Sequence, residues 1–383
     1  MSEKKYSIAY PFFPKEEIEP ILDKFRKILS GEEVLSMGKK VEEFEKKFSQ
    51  YIGIKYAVGT NSCSAALEIS LRTIGLQNDD EVIVPAETFI ATASSAVREG
   101  GRVVFADIDP ETFCLSAHEV AKRITKKTKA VILVHMAGLV TPEVYKIQEL
   151  CRSHGISLIE DSAHATGASL DGKRAGSFGD FGCFSFYPTK VITTGEGGML
   201  TTSNEDYYNL AHSFRHRGRD MNASQEVYTR LGTNNRMTEM VAILGLSQLN
   251  VLDRFIKARN KVASIYSESL LEFEQKEYVT LLKVPSTACH SYWRYIVRLN
   301  EKIDREVLRK SLAGKDITID WAYDPPLHLQ PFFKSLYGNK EGMLPKTEKL
   351  MKHFICLPIH QCITEEDARF VIDSFKDVVR DLV

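Results

Sequence analysis

The chain has 383 residues, is 43% hydrophobic and 26% charged, and carries a formal net charge of −1. That length suggests two domains at roughly 100–200 residues each, and it can bury a large core without staples or metals. The balanced charge, with no long basic block, argues against a nucleic-acid or membrane partner, and seven cysteines without a CxxC pair suggest neither a disulfide framework nor a zinc ribbon but reduced thiols in the cytoplasm.

The first residues, Met1-Ser2-Glu3-Lys4-Lys5, are charged with no apolar core behind them, so no signal peptide is expected. From about residue 55 to 202 two kinds of segment alternate. Short β-rich runs are predicted at 56–58, 81–84, 103–106, 130–134, 156–160, 183–186 and 199–202. Helical spacing of apolar residues lies between them, as at 65–74 and 143–154. Apolar runs without alternation read as strands buried on both faces, and hence as a mostly parallel sheet covered by helices. The longest apolar stretch, 130–140, is interrupted by His135 and is too short to span a bilayer.

A long helical pattern follows at 238–273. The order then changes to a strand at 292–297, a helix at 305–313, a strand at 317–321, a Pro-rich loop at 324–331 and a last helix at 365–379. This predicts an α/β fold with a large domain over 1–250 and a smaller α+β domain over 251–383, with the N-terminal segment available to pack on the smaller one.

Four places have chemical potential. Asn61-Ser62-Cys63-Ser64 precedes a helix, where small polar residues cap the backbone and free N–H groups bind phosphate. Asp161 ends a strand, the edge where α/β sheets hold ligands. Lys190 follows a strand and a Pro turn among aromatic residues, a setting that favours an uncharged, nucleophilic amine. The run Thr193-Thr194-Gly195-Glu196-Gly197-Gly198 permits close backbone approach but is neither GxGxxG nor a Walker loop. Taken singly, each has an ordinary structural explanation: a cap, a loop acid, a surface lysine, a tight connection. Together with an aromatic at Phe89, they match what pyridoxal phosphate requires: an amine for its aldehyde, a carboxylate for its ring nitrogen, a flat partner for its face and N–H groups for its phosphate.

The order of these stretches resembles the DegT-type sugar aminotransferases, of aspartate-aminotransferase-like fold, over nearly the whole chain. The matching runs include Asn61-Ser62-Cys63-Ser64-Ala65-Ala66-Leu67, Pro85-Ala86-Glu87-Thr88-Phe89-Ile90-Ala91-Thr92, Glu160-Asp161-Ser162-Ala163-His164-Ala165, Lys190 with Ile192 to Gly198, Asn234 with Arg236-Met237-Thr238-Glu239, and Pro326-Leu327-His328-Leu329-Gln330-Pro331. The resemblance implies that Lys190 carries pyridoxal 5′-phosphate as a Schiff base and shuttles the proton. It implies that Asp161 pairs with the ring nitrogen, Phe89 stacks on the ring and His164 lies beside it. Cys63, Ser64 and Ser185 would hold the phosphate, and Asn234 would reach the phosphate of the partner in a homodimer with shared sites.

The implied reaction moves an amino group from L-glutamate to a keto sugar. The acceptor is either nucleotide-linked or a free keto sugar acid of lipopolysaccharide synthesis. Relatives that act as sugar dehydratases carry His in place of the lysine, so Lys190 counts against that alternative. A non-enzymatic regulator of the same fold has no need for both Lys190 and Asp161. The chain departs from the family pattern at Cys63, Thr166, Asn235 and Trp293, where Gly, His, an aromatic residue and His respectively are frequent.

Overall fold

The computed structural model describes residues 6–221 and 223–383. The charged start on which the signal-peptide expectation rests lies outside the described residues. A seven-stranded sheet is built from β1 (Tyr56–Thr60), β2 (Glu81–Pro85), β3 (Arg102–Ala106), β4 (Thr128–Val134), β5 (Ser157–Asp161), β6 (Phe181–Ser185) and β7 (Gly198–Thr202), in the order β1-β7-β6-β5-β4-β2-β3. Strands β2 to β6 pair in parallel, while β7 runs antiparallel to both β1 and β6. All seven predicted runs are strands, shifted by no more than two residues at any end.

Both faces of this sheet are buried, which explains the unbroken apolar runs. Side chains alternate across a strand. Ile83, Val131, Leu133 and Leu158 therefore enter one core, and Val82, Val84, Ala130, Ile132 and Ile159 enter the core on the opposite face.

A second sheet of β8 (Val279–Leu281), β9 (Tyr295–Leu299) and β10 (Phe354–Leu357) is antiparallel in the order β8-β9-β10. It packs with helices Arg305–Ala313 and Glu365–Leu382 around Leu308, Leu312, Val371 and Phe375. The 37-residue helix Glu239–Gln275 contributes to the cores of both units, and residue 250 lies inside it. Tyr6 pairs with Ile317, so the N-terminal segment meets the smaller unit.

Two expectations fail here. The strand expected at 292–297 begins only at Tyr295, because Tyr292 adopts φ 48 and breaks the extended run. The strand expected at 317–321 is not a strand. Ile317 and Asp320 each form one isolated bridge, to different partners, while Ile317 and Ile319 still enter the core. Their apolar alternation reports burial without a ladder. Among the described residues, no helix is long and apolar enough to cross a membrane.

Gly245 on the long helix faces the fully buried Phe44, and an added Cβ would stand 2.4 Å from that ring. Alanine ordinarily favours a helix over glycine by about 1 kcal/mol. Here overpacking reverses the sign, and Gly245→Ala is expected to destabilise the protein by about 1–3 kcal/mol. Thermal or denaturant unfolding checks this, and a gain in stability would refute the packing described.

Candidate active site

The carboxyl ends of β1, β2, β4, β5 and β6 open onto one cavity of about 510 Å³, the edge at which α/β sheets hold ligands. Cys63, Ser64, Phe89, Asp161, His164, Ser185 and Lys190 all line it. Asn234 does not. It is exposed, and its backbone bridges to His216.

One end of the cavity is a helix start. In Cys63–Thr73 the Ser62 hydroxyl accepts the Ala65 N–H at 3.2 Å, and the Ser62 carbonyl accepts the Ala66 N–H. The Cys63 and Ser64 N–H groups have no acceptor within the helix, as at any helix N-terminus. Glycine is required opposite them: a Cβ on Gly198, the first residue of β7, would lie 2.4 Å from the Ser62 carbonyl carbon and 2.6 Å from the Cys63 nitrogen. The Ser185 hydroxyl, at the end of β6, lines the same cavity. This cradle suits a phosphate.

Asp161, the last residue of β5, is buried at 5% exposure. Thr92 Oγ1 donates to it at 2.7 Å and the Ala163 N–H at 3.1 Å. Thr92 is in turn hydrogen-bonded to Thr88 at 2.8 Å. Burial raises the Asp161 carboxyl above its usual range, against the lowering effect of these donors. A carboxylate so placed is suited to a cationic partner.

Lys190 is reached by a turn in which its N–H donates to the Tyr187 carbonyl at 2.9 Å. Its Nζ lies 4.5 Å from the centre of the Trp293 ring. Burial draws its pKa down to about 8, with Asp161 opposing the shift. His164 stacks on Trp293 at 3.6 Å with an interplanar angle of 10°, and its Nε2 shares a hydrogen bond with the Tyr323 hydroxyl at 2.9 Å. Burial holds its pKa well below the usual range, so the ring is neutral. Phe89 is 54% exposed at the cavity wall, 6.2 Å from Tyr323 between ring centres.

Sequence reasoning assigned no role to Thr92, Arg294 or Tyr323, and met Trp293 only as a departure from the family pattern. Thr92 had a signal, because it lies in the first turn of helix Ile90–Arg98, directly after Phe89, the residue that precedes that helix. The Trp293 segment is pinned from several sides. Arg259 of the long helix donates to the Tyr292 carbonyl at 2.9 Å, Ser291 Oγ donates to the His164 carbonyl at 2.9 Å, and Trp293 Nε1 donates to the Thr189 carbonyl at 2.9 Å. Tyr323 had no local signal.

A model of the DegT/DnrJ/EryC1/StrS aminotransferase family matches residues 15–376. The chain belongs to this family. A GDP-perosamine synthase from Caulobacter vibrioides is 36% identical, with 90% of this chain and 92% of its own covered. A dTDP-3-amino-3,4,6-trideoxy-alpha-D-glucose transaminase from Micromonospora megalomicea subsp. nigra is 30% identical over 98% of this chain and 99% of its own. Among solved structures, an aminotransferase from Streptococcus pneumoniae in its PLP form superposes with a TM-score of 0.88 at 27% identity, covering 98% of this chain and 99% of that one. The aspartate-aminotransferase-like fold expected from the sequence is borne out.

The residues of this aminotransferase fit pyridoxal phosphate. The donor set supplies an amine of lowered pKa, a buried carboxylate, helix N–H groups in a glycine-walled cradle and aromatic walls. The amine allows a pH test. Only uncharged Lys190 adds to an aldehyde, so cofactor uptake by the cofactor-free protein is expected to speed up with pH and level off above about 8. A rate still climbing toward 10.5, the value of an ordinary lysine, would contradict the burial effect.

Proposed function

We propose that Lys190, Asp161, His164, Phe89, Cys63, Ser64 and Ser185 hold pyridoxal 5′-phosphate in the roles that the family resemblance implies, and that L-glutamate is the amino donor. The enzyme is a sugar aminotransferase. The observation that carries this reading is the meeting of an amine of lowered pKa and a buried carboxylate in one cavity at the strand ends. The net reaction converts L-glutamate and a keto sugar into 2-oxoglutarate and an amino sugar. Both relatives described above are named for amino-sugar products linked to a nucleotide, which supports a nucleotide-linked keto sugar as the acceptor.

When bound, the cofactor supplies an electron sink for the carbanion at the donor's α-carbon. Asp161, held by Thr92 and Ala163, keeps a negative charge beside the ring nitrogen. Lys190 Nζ, uncharged, takes the α-proton and returns it on the other side of the transfer. The Cys63 and Ser64 N–H groups anchor the phosphate. Neutral His164 stays in place through Trp293 and Tyr323 and adds no charge. Lys190 weighs against a dehydratase, and a protein that only regulates has no use for this pairing of amine and acid.

Three further assignments belong to this reading. The chain works as a homodimer, with Asn234 reaching the partner's phosphate; exposed Val227, Tyr228 and Leu231 nearby give that loop an apolar surface to cover. It divides near residue 250 into a large and a small domain, each with its own sheet. It resides in the cytoplasm, a reducing compartment that suits seven free cysteines.

L-glutamate is expected to bleach the visible band of the bound cofactor, and a keto sugar to restore it. Lys190→Ala is expected to slow the transfer by about four orders of magnitude, the upper range for losing an acid–base group. A band indifferent to every amino acid would remove the aminotransferase reading.

A further inference from the structure

Lys190 is not the only cation in the cavity. Arg294 lines it too, at 7% exposure, one residue before β9. Its guanidinium carbon lies 4.2 Å from the centre of the Trp293 ring, the ring on which Lys190 also rests. The guanidinium is poorly matched by the protein. Nη1 donates to the Trp293 carbonyl at 3.2 Å, and Nη2 lies 3.5 Å from Asp320 Oδ2. Its Nε has no partner, and neither has Asp320 Oδ1. Charge-assisted bonds of this kind run about 2.7–2.9 Å. Asp320 therefore holds the guanidinium loosely and leaves part of its donor fork unused. The Trp293 ring beneath it, and His164 stacked on that ring, offer no negative charge.

The geometry points to Arg294 as the group that receives the α-carboxylate of the amino donor. This inference rests on the aminotransferase reading above. In any α-amino acid the carboxylate is attached to the carbon that bears the transferred nitrogen. It must therefore lie at the Lys190 end of the cavity, since Lys190 deprotonates that same carbon. The helix start serves the phosphate and Asp161 the ring nitrogen, which leaves Arg294 as the cation beside Lys190. A planar guanidinium meets a carboxylate with two parallel hydrogen bonds, which fixes orientation as well as charge. A keto-sugar acid would present the same chemistry from the acceptor side, so donor and acceptor need separate measurements.

Two titrations of the cofactor-loaded protein test this. In the first, L-glutamate and its α-amide bleach the visible band of the cofactor. Half-saturation is expected to be about 30-fold higher for the amide, or about 2 kcal/mol at about 1.4 kcal/mol per decade. Arg294→Gln is expected to weaken L-glutamate by a similar factor and leave the amide unchanged, so that the discrimination collapses. Arg294→Lys, which keeps the charge without the fork, is expected to fall between. In the second, calorimetry follows binding of 2-oxoglutarate, which has no amine to transfer, and Arg294→Gln is expected to lose the same factor.

A merely structural Arg294–Asp320 pair predicts equal losses for L-glutamate and the amide, and that result would overturn the assignment. So would equal half-saturation of the unsubstituted protein by the two donors, a comparison that stands even if a variant fails to take up cofactor. A loss confined to the keto-sugar acceptor would also overturn it. Failure of every amino acid to bleach the band would remove the aminotransferase reading and Arg294's role together, whereas normal bleaching without discrimination removes Arg294's role alone.

Discussion

The site depends on taking an amine and a carboxylate out of water within one cavity. Burial disfavours the charged form of each, drawing the Lys190 amine down to about 8 and raising the Asp161 carboxyl. These opposed shifts suit the chemistry proposed above: an amine that gives up its proton near pH 8 rather than at the 10.5 of an ordinary lysine, and an acid whose charge a cationic partner would restore. The protein stabilises the acid with the Thr92 hydroxyl, the Ala163 N–H and, at 4.0 Å, the Cys63 thiol rather than with a close salt bridge, so its charge remains available to a ligand.

The fold supplies this arrangement at modest cost because the groups come from the ends of neighbouring strands. Asp161 and Ser185 end β5 and β6, and the phosphate-competent helix start follows β1. Antiparallel β7 enters between β1 and β6, and Gly198 lets its first residue lie against the Ser62–Cys63 peptide. The smaller unit closes the cavity from the other side. Arg259 is buried on the long helix and fixes the Tyr292 carbonyl, and Tyr292 takes a left-handed conformation that turns Trp293 and Arg294 inward. Stability and function meet at this segment, since the contacts that pin Ser291, Tyr292 and Trp293 also place the wall beside Lys190.

Much of this was legible in the sequence, for identifiable reasons. Strands buried on both faces leave continuous apolar runs, and β2 (Val82-Ile83-Val84) and β4 (130–134) carried that mark most clearly. Asp161, at a strand end, and Lys190, five residues past one, each had an ordinary explanation alone, and it was their combination with the other stretches of the family pattern that singled them out. The 317–321 segment was misread because its alternation records burial of Ile317 and Ile319 while its backbone pairs only at single bridges. Tyr323 and Arg294 were invisible because their meaning comes from contacts across more than 100 residues, with His164 and with the cavity that Lys190 lines. Asn234 stands apart, exposed and outside the cavity of its own chain, so the role proposed for it rests on a second copy.

The most direct test of the account is the melting temperature of wild type and Asp161→Asn, each with and without pyridoxal phosphate. If the buried acid is held ready for a cationic ligand, the variant without cofactor should be at least as stable as wild type, while its stabilisation by cofactor should shrink. A variant that loses stability when empty and keeps the full stabilisation by cofactor would make Asp161 a structural residue and contradict the account.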